Sequence, residues 1–135
     1  GSEMCIRDSL KAENVSIVVK FEELDGQEVW SVHLLNENPV SIENILIVSK
    51  GYGKSEGKEE ETSTIRQFQE SLDANSSMQI ELIQPEVFHL FNEYLLTYYI
   101  KGDIYDKKCI FVPESITKEN LVPIKLLQAN GVLHS

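Results

Sequence analysis

Almost the whole chain repeats with a period of two. Val15, Ile17, Val19 and Phe21 alternate with Ser16, Lys20 and Glu22. Side chains along an extended strand point to opposite faces in turn, so this pattern makes a strand with one dry and one wet side. Asp25-Gly26 follows, and both residues tolerate the positive φ of a tight hairpin turn. A second strand runs near Glu28 to Asn36 with Trp30, Val32 and Leu34 on one face and His33 on the other, and Asn36-Glu37-Asn38-Pro39 ends it.

The pattern continues. Ile42 to Ser49 is apolar on both faces at Ile45 to Val48, as suits a central strand. Thr62 to Gln69 is extended but polar, the character of an edge strand. Met78, Ile80 and Leu82 alternate with Gln79 and Glu81. Pro85 to Leu90 suits one helical turn with proline first. Glu93 to Lys101 places Tyr94, Leu96, Tyr98 and Ile100 on one face, Gly102-Asp103 turns it, and Ile104 to Val112 returns. Leu121 to Leu133, broken by Pro123 and Gly131, adds an eighth strand or packs as a tail. Short strands with a turn every ~8–12 residues and no helical period predict an all-β antiparallel sandwich of about seven strands, immunoglobulin-like or fibronectin type III-like. Trp30 on the second strand and the Leu90, Tyr94, Leu96 spacing of a tyrosine corner agree with that architecture.

Length supports one domain: 135 residues, 41% of them apolar, bury enough surface for a core without metal or disulfides. Gly1 to Ser9, GSEMCIRDS, resembles translated sequencing adapter and is set apart as a non-native leader, leaving residues 10–135 as a single domain. Cys109 is then the remaining cysteine, which fits a reducing, cytoplasmic compartment. Twelve basic against 22 acidic side chains give a net charge of −10. That charge repels phosphate backbones and anionic lipid, so neither nucleic acid nor membrane is expected as a partner.

The stretch most suggestive of chemistry is Lys50 to Glu61, KGYGKSEGKEEE. A phosphate loop needs G-x-x-x-x-G-K-[ST]. Gly53-Lys54-Ser55 supplies its second half, but Val48 stands where the first glycine belongs. Gly57-Lys58 is followed by Glu59, and Tyr52 occupies its first glycine position. A strand-forming Thr62–Ile65 follows where a helix is needed, and Glu59 to Glu61 would repel a triphosphate. The stretch is therefore read as a long, solvated loop at a hairpin tip. His33, His89, His134 and Cys109 lack metal-ligand spacing. Cys109 shares a face with Tyr105 and Phe111, which predicts a buried, inert thiol although Lys107 and Lys108 are near. Glu22, Glu23, Asp25, Glu28, Asp103 and Asp106 match no calcium loop.

The segments VWSVHLLNEN (Val29–Asn38), LIVSKGYG (Leu46–Gly53), ETSTIRQF (Glu61–Phe68), IELIQPEVFHLFNEY (Ile80–Tyr94) and DKKCIFVPESI (Asp106–Ile116) resemble a group of small bacterial proteins of about this length. Members are often labelled phenylalanyl-tRNA synthetase alpha subunit. That label implies ATP held by arginines of two motifs on a large mixed sheet with helices. Outside the leader this chain has Arg66 alone, and it is too short for such a domain.

The sequence thus predicts a protein-interaction module with no catalytic residue, cofactor or metal, acting through the 50–61 loop or an edge strand on an unidentified protein partner. Lys50, Tyr52, Lys54, Lys58, Glu59, Glu60 and Arg66 are the candidate contact residues. The three glutamates favour a cationic partner surface. Two alternatives stand beside it: an enzyme or enzyme subunit using Lys50, Lys54, Lys58 and Arg66 on a phosphate, and a homo-oligomeric structural protein.

Overall fold

The computed structural model describes residues 14–134; the Gly1–Ser9 leader, with Cys5, lies outside them. The described residues form ten strands: β1 (Val15–Leu24), β2 (Gln27–Asn36), β3 (Ile42–Ser55), β4 (Lys58–Glu61), β5 (Ile65–Leu72), β6 (Ser76–Leu82), β7 (Phe91–Ile100), β8 (Asp103–Phe111), β9 (Val122–Ile124) and β10 (Ala129–Leu133). They make two antiparallel sheets. The first has the order β6-β2-β1-β10-β9. In the second, β3 pairs β7 along one edge, β5 and then β4 along the other, and β8 lies outside β7.

The strands meet where the turn residues let them. Asp25 (φ 52°) and Gly26 (φ 80°) are both left-handed, which closes a two-residue turn with the twist of the flanking strands and sets Leu24 against Gln27. Lys101 (φ 50°) and Gly102 (φ 85°) repeat the device. This turn lies one residue earlier than the sequence suggests, because Asp103 already pairs with Ile100.

The two inner faces share one apolar core. Ile17 and Val19 of β1 and Val32 and Leu34 of β2 pack against Ile45 and Ile47 of β3 and Tyr94, Leu96 and Tyr98 of β7. Each set occupies alternate positions, as the pleat requires. Trp30 is buried between Phe21 and Phe88, with ring centroids 4.7 and 5.5 Å away. The expected proline-led turn is a 3-10 helix at Pro85–Val87 that brings Phe88 there. Asn36 closes one end of the core: Nδ2 reaches the carbonyls of Val40, Leu72 and Asp73, and Oδ1 accepts from the backbone and side-chain nitrogens of Asn38.

Four expectations need correction. The loop at 50–61 is not a loop. β3 runs on to Ser55, Glu56 (φ 52°) and Gly57 (φ 81°) form a two-residue turn, and β4 returns with Ser55 against Lys58 and Tyr52 against Glu61. The following strand begins at Ile65 rather than Thr62, because Thr62 to Thr64 carry one residue more than the β3 segment they face. Thr62 anchors this irregularity: its amide donates to the Gly51 carbonyl (2.8 Å) and its Oγ1 accepts from the Gly51 amide (2.7 Å). The Tyr94 hydroxyl donates to Glu81 Oε2 (2.8 Å), so the tyrosine ties β7 to β6 through a side chain and not to upstream backbone as a tyrosine corner does. The 121–133 segment supplies two strands beside β1, so ten strands stand where about seven were expected.

The outer faces differ. Leu126 and Leu127, on the turn between β9 and β10, cover Val18 and Leu35 on the back of the first sheet. The back of the second sheet leaves Leu46 (38%), Phe68 (62%), Leu95 (36%) and Ile104 (56%) exposed. The central β3, expected to be dry on both sides, is therefore dry on one. Neighbouring β3 residues should respond oppositely to truncation. Ile47→Ala removes a fully buried side chain and should cost about 2–5 kcal/mol of unfolding free energy. Leu46→Ala, on the solvent side, should cost under about 1 kcal/mol. Urea titration at low protein concentration measures both.

Candidate functional site

The β3–β4 hairpin forms one wall of a cleft of about 610 Å³, lined by Tyr52, Gly53, Lys54, Glu59, Glu60, Glu61, His89, Phe91 and Pro113. Each side chain is brought by a different constraint. Antiparallel register sets Lys54 beside Glu59 and Tyr52 beside Glu61. The β3–β7 register sets Tyr52 beside Phe91, and the two rings stack with centroids 5.4 Å apart and planes 13° from parallel. The turn after the Pro85 helix carries His89, whose Nε2 lies 2.9 Å from Glu60 Oε1. Pro113 stands two residues past the end of β8.

Next to the aromatic pair, opposite Lys50, lies Glu93, nearly fully buried although its strand position points to the outer face of the sheet. The Tyr52 hydroxyl donates to Glu93 Oε1 (3.2 Å), and Lys50 Nζ lies 3.9 Å from Oε2. The same ammonium sits 5.6 Å from the centre of the Tyr52 ring. Burial first, then the Glu93 charge and hydrogen bond, push the Tyr52 hydroxyl above its ordinary pKa. The tyrosine thus remains a neutral donor, its hydroxyl held on the carboxylate. The result is an aromatic floor in a cleft whose lining adds three glutamates, Lys54 and His89.

Of the seven candidate contact residues, the structure brings Tyr52, Lys54, Glu59 and Glu60 together in the cleft. Lys50 lies beside its floor, next to Glu93 and the Tyr52 ring. Lys58 begins β4 opposite Ser55, beyond the lining. Arg66 lies apart, on β5 opposite Val48. Lys50 and Lys54 are four residues apart on an extended strand, about 13 Å. The basic residues therefore do not converge on one phosphate. Sequence reading did not name Gly53 and Glu61, inside the 50–61 stretch, or His89, Phe91 and Pro113 as contact residues. Glu61 was legible in the acidic run; His89, Phe91 and Pro113 come from distant parts of the chain and carry no local signal.

The remaining reactive side chains are accounted for by packing. Cys109 is buried on the β8 face that also carries Tyr105 and Phe111, and burial raises its thiol pKa to about 11, the nearby Lys107 only partly opposing. Buried His33 has its Nε2 2.9 Å from Ser31 Oγ. Among the described residues no group of three or more His, Cys, Asp or Glu is placed to hold a metal ion, and no helix is long and apolar enough to cross a membrane. Glu28 is instead paired with Lys118, and Glu22 lies 3.2 Å from Lys20.

Comparison with protein-family models gives no match. Comparisons with curated proteins and with solved structures also give none.

His33 makes stability depend on pH. Burial, with Lys20 nearby, lowers its pKa below 6.5. The unfolded chain therefore binds a proton that the folded chain resists. Stability is fully present above pH 6.5 and falls as pH drops from 6.5 toward the lowered folded value. Unfolding free energies measured at intervals from pH 7.5 to 5 should fall more steeply for the native chain than for His33→Asn, the two curves diverging below ~6.5.

Proposed function

We propose that this chain is a non-catalytic interaction module that takes a basic segment of another protein into the β3–β4 cleft. One observation carries the reading: Glu59 and Glu61 share the hairpin face of the stacked Tyr52–Phe91 pair, and Glu60 completes the acidic run in the same cleft lining. A lysine or arginine side chain has both complements. Its aliphatic or planar part lies on an aromatic face, and its charge meets carboxylates and the ring quadrupole. The net charge of −10 attracts such a segment from a distance. A phosphate ligand finds the opposite environment, which weighs against the synthetase-like reading.

The frame suits this role. We propose that its seven-strand part is fibronectin type III-like. β1, β2, β3, β5, β6, β7 and β8 stand in the order β6-β2-β1 against β5-β3-β7-β8. An immunoglobulin constant-type domain keeps its fourth strand in the first sheet; here the fourth has joined the second. Sandwiches of this kind recognise partners with their end loops and sheet edges while the core stays rigid. The β3–β4 hairpin is such an end, lengthened and stiffened. Resemblance to the small bacterial family, and with it a cytoplasmic setting, belongs to the same proposal.

An arginine- and lysine-rich fluorescent peptide should bind with low-salt affinity in the micromolar range and weaken as salt rises. Glu59→Gln/Glu61→Gln should reduce binding about tenfold or more, and Tyr52→Ala should do the same by removing the floor. Fluorescence anisotropy reads both, and an acidic peptide is the control. Millimolar ATP should leave the melting temperature unchanged. Equal binding by the double glutamine variant, or a rise of several degrees with ATP, refutes the reading.

A further inference from the structure

We infer that the exposed back of the second sheet is a self-complementary surface on which a second copy of this chain docks face to face. The outward side chains of β5, β3, β7 and β8 stand in rows set by the strand register. One row is Phe68, Leu46, Thr97 and Asp106; the next is Arg66, Val48, Leu95 and Lys108. Ile104 and Tyr99 continue the face beyond the first row, and Ile110, Glu93 and Lys50 beyond the second, making four rows. Leu46, Phe68, Leu95 and Ile104 are all exposed. The first sheet hides its equivalent surface under Leu126 and Leu127 of its own chain. Nothing of the kind covers this one among the described residues.

The charges choose the occupant and its orientation. Place a two-fold axis in the plane between two copies, running across the strands midway between the two rows. Every strand then lies over its own counterpart, and the rows exchange. Asp106 faces Lys108 of the second copy, and Lys108 faces Asp106. Leu46 meets Val48, Thr97 meets Leu95, Ile104 meets Ile110, and Arg66 covers the Phe68 ring. Each contact occurs twice, as an isologous interface demands, and the pairs are apolar, ionic or cation–π. Turning the axis along the strands instead sets Arg66 over Lys108 and Asp106 over Phe68, which repels. On a chain with a net charge of −10, this patch holds Arg66 and Lys108 against Asp106 alone in its two central rows. In these rows the two-fold arrangement therefore sets no carboxylate against a carboxylate.

The size fits. Four strands about 4.8 Å apart, with outward residues about 6.8 Å apart along each, give a footprint of about 500 Å² per copy. Two copies then bury on the order of 1,000 Å², the lower end of specific interfaces and of micromolar dimers. Aligned sheets pack with a rotation near −30°, which the twist of the faces accommodates.

Sedimentation equilibrium tests this on the full chain. At about 100 μM the native protein should show twice its 15.4 kDa mass. Leu95→Glu should be monomeric with an unchanged far-ultraviolet circular dichroism spectrum. Asp106→Lys alone and Lys108→Asp alone should each weaken the dimer about tenfold or more, since each sets like charges opposite. The combined swap should restore it to within about threefold of the native value. A monomeric native protein, a dimer indifferent to Leu95→Glu, or a double swap no tighter than the single ones overturns the inference. None of these positions lines the β3–β4 cleft, so peptide binding should survive all of them.

Discussion

Everything in this structure depends on the dry contact between two sheets. Ile17, Val19, Val32 and Leu34 meet Ile45, Ile47, Tyr94, Leu96 and Tyr98 across it. Burying this many aliphatic and aromatic side chains is the main favourable term, because each removes apolar surface from water. The register of β3 against β7 then decides what the outer face displays. A one-residue slip would turn Ile45 and Ile47 to solvent, so the core effectively forbids it. The positions of Lys50, Tyr52 and Phe91 on the outside are thus consequences of packing on the inside.

The same strand links fold to recognition. β3 is longer than the sandwich needs. Its first part forms the core with β5 and β7, and its last part carries the hairpin. The switch is made at Gly51, where Thr62 bonds both backbone groups and lets the partner strand pass one extra residue. A mobile tip would have to be ordered by its ligand, at an entropic cost. A paired hairpin with a hydrogen-bonded aromatic floor is already ordered. Glu93 is the support: buried, yet neutralised by Lys50 and bonded by Tyr52.

Much of the fold was legible because strand alternation is a local signal. The first two strands, their Asp25-Gly26 turn, the 3-10 turn at Pro85, the polar edge strand and the burial of Trp30 and Cys109 all follow from residue type at known spacing. The hairpin at 50–61 was misread for a definite reason. Its turn is Glu56-Gly57, where glutamate replaces the asparagine or aspartate that usually announces such a turn. β4 carries charge on both faces, and the end of β3 sets lysines and a tyrosine against glycines, so neither has the apolar alternation that marks burial. Tyr94 was legible as an important residue, but its partner Glu81 was not, because nothing near either residue encodes their meeting.

By itself, the sequence determined the class of fold, the inward rows of the core and the acidic character of the surface. These depend on side-chain chemistry read along one strand at a time. Tertiary structure alone decided which strands lie side by side, and so which side chains share a surface. It gathered Glu59, Glu60 and Glu61 into one cleft lining with Tyr52, Phe91 and His89. It also left Leu46 and Leu95 bare on one sheet while Leu126 and Leu127 covered the other. Such neighbours are far apart in the chain, and only the closing of long segments against a common core brings them into contact.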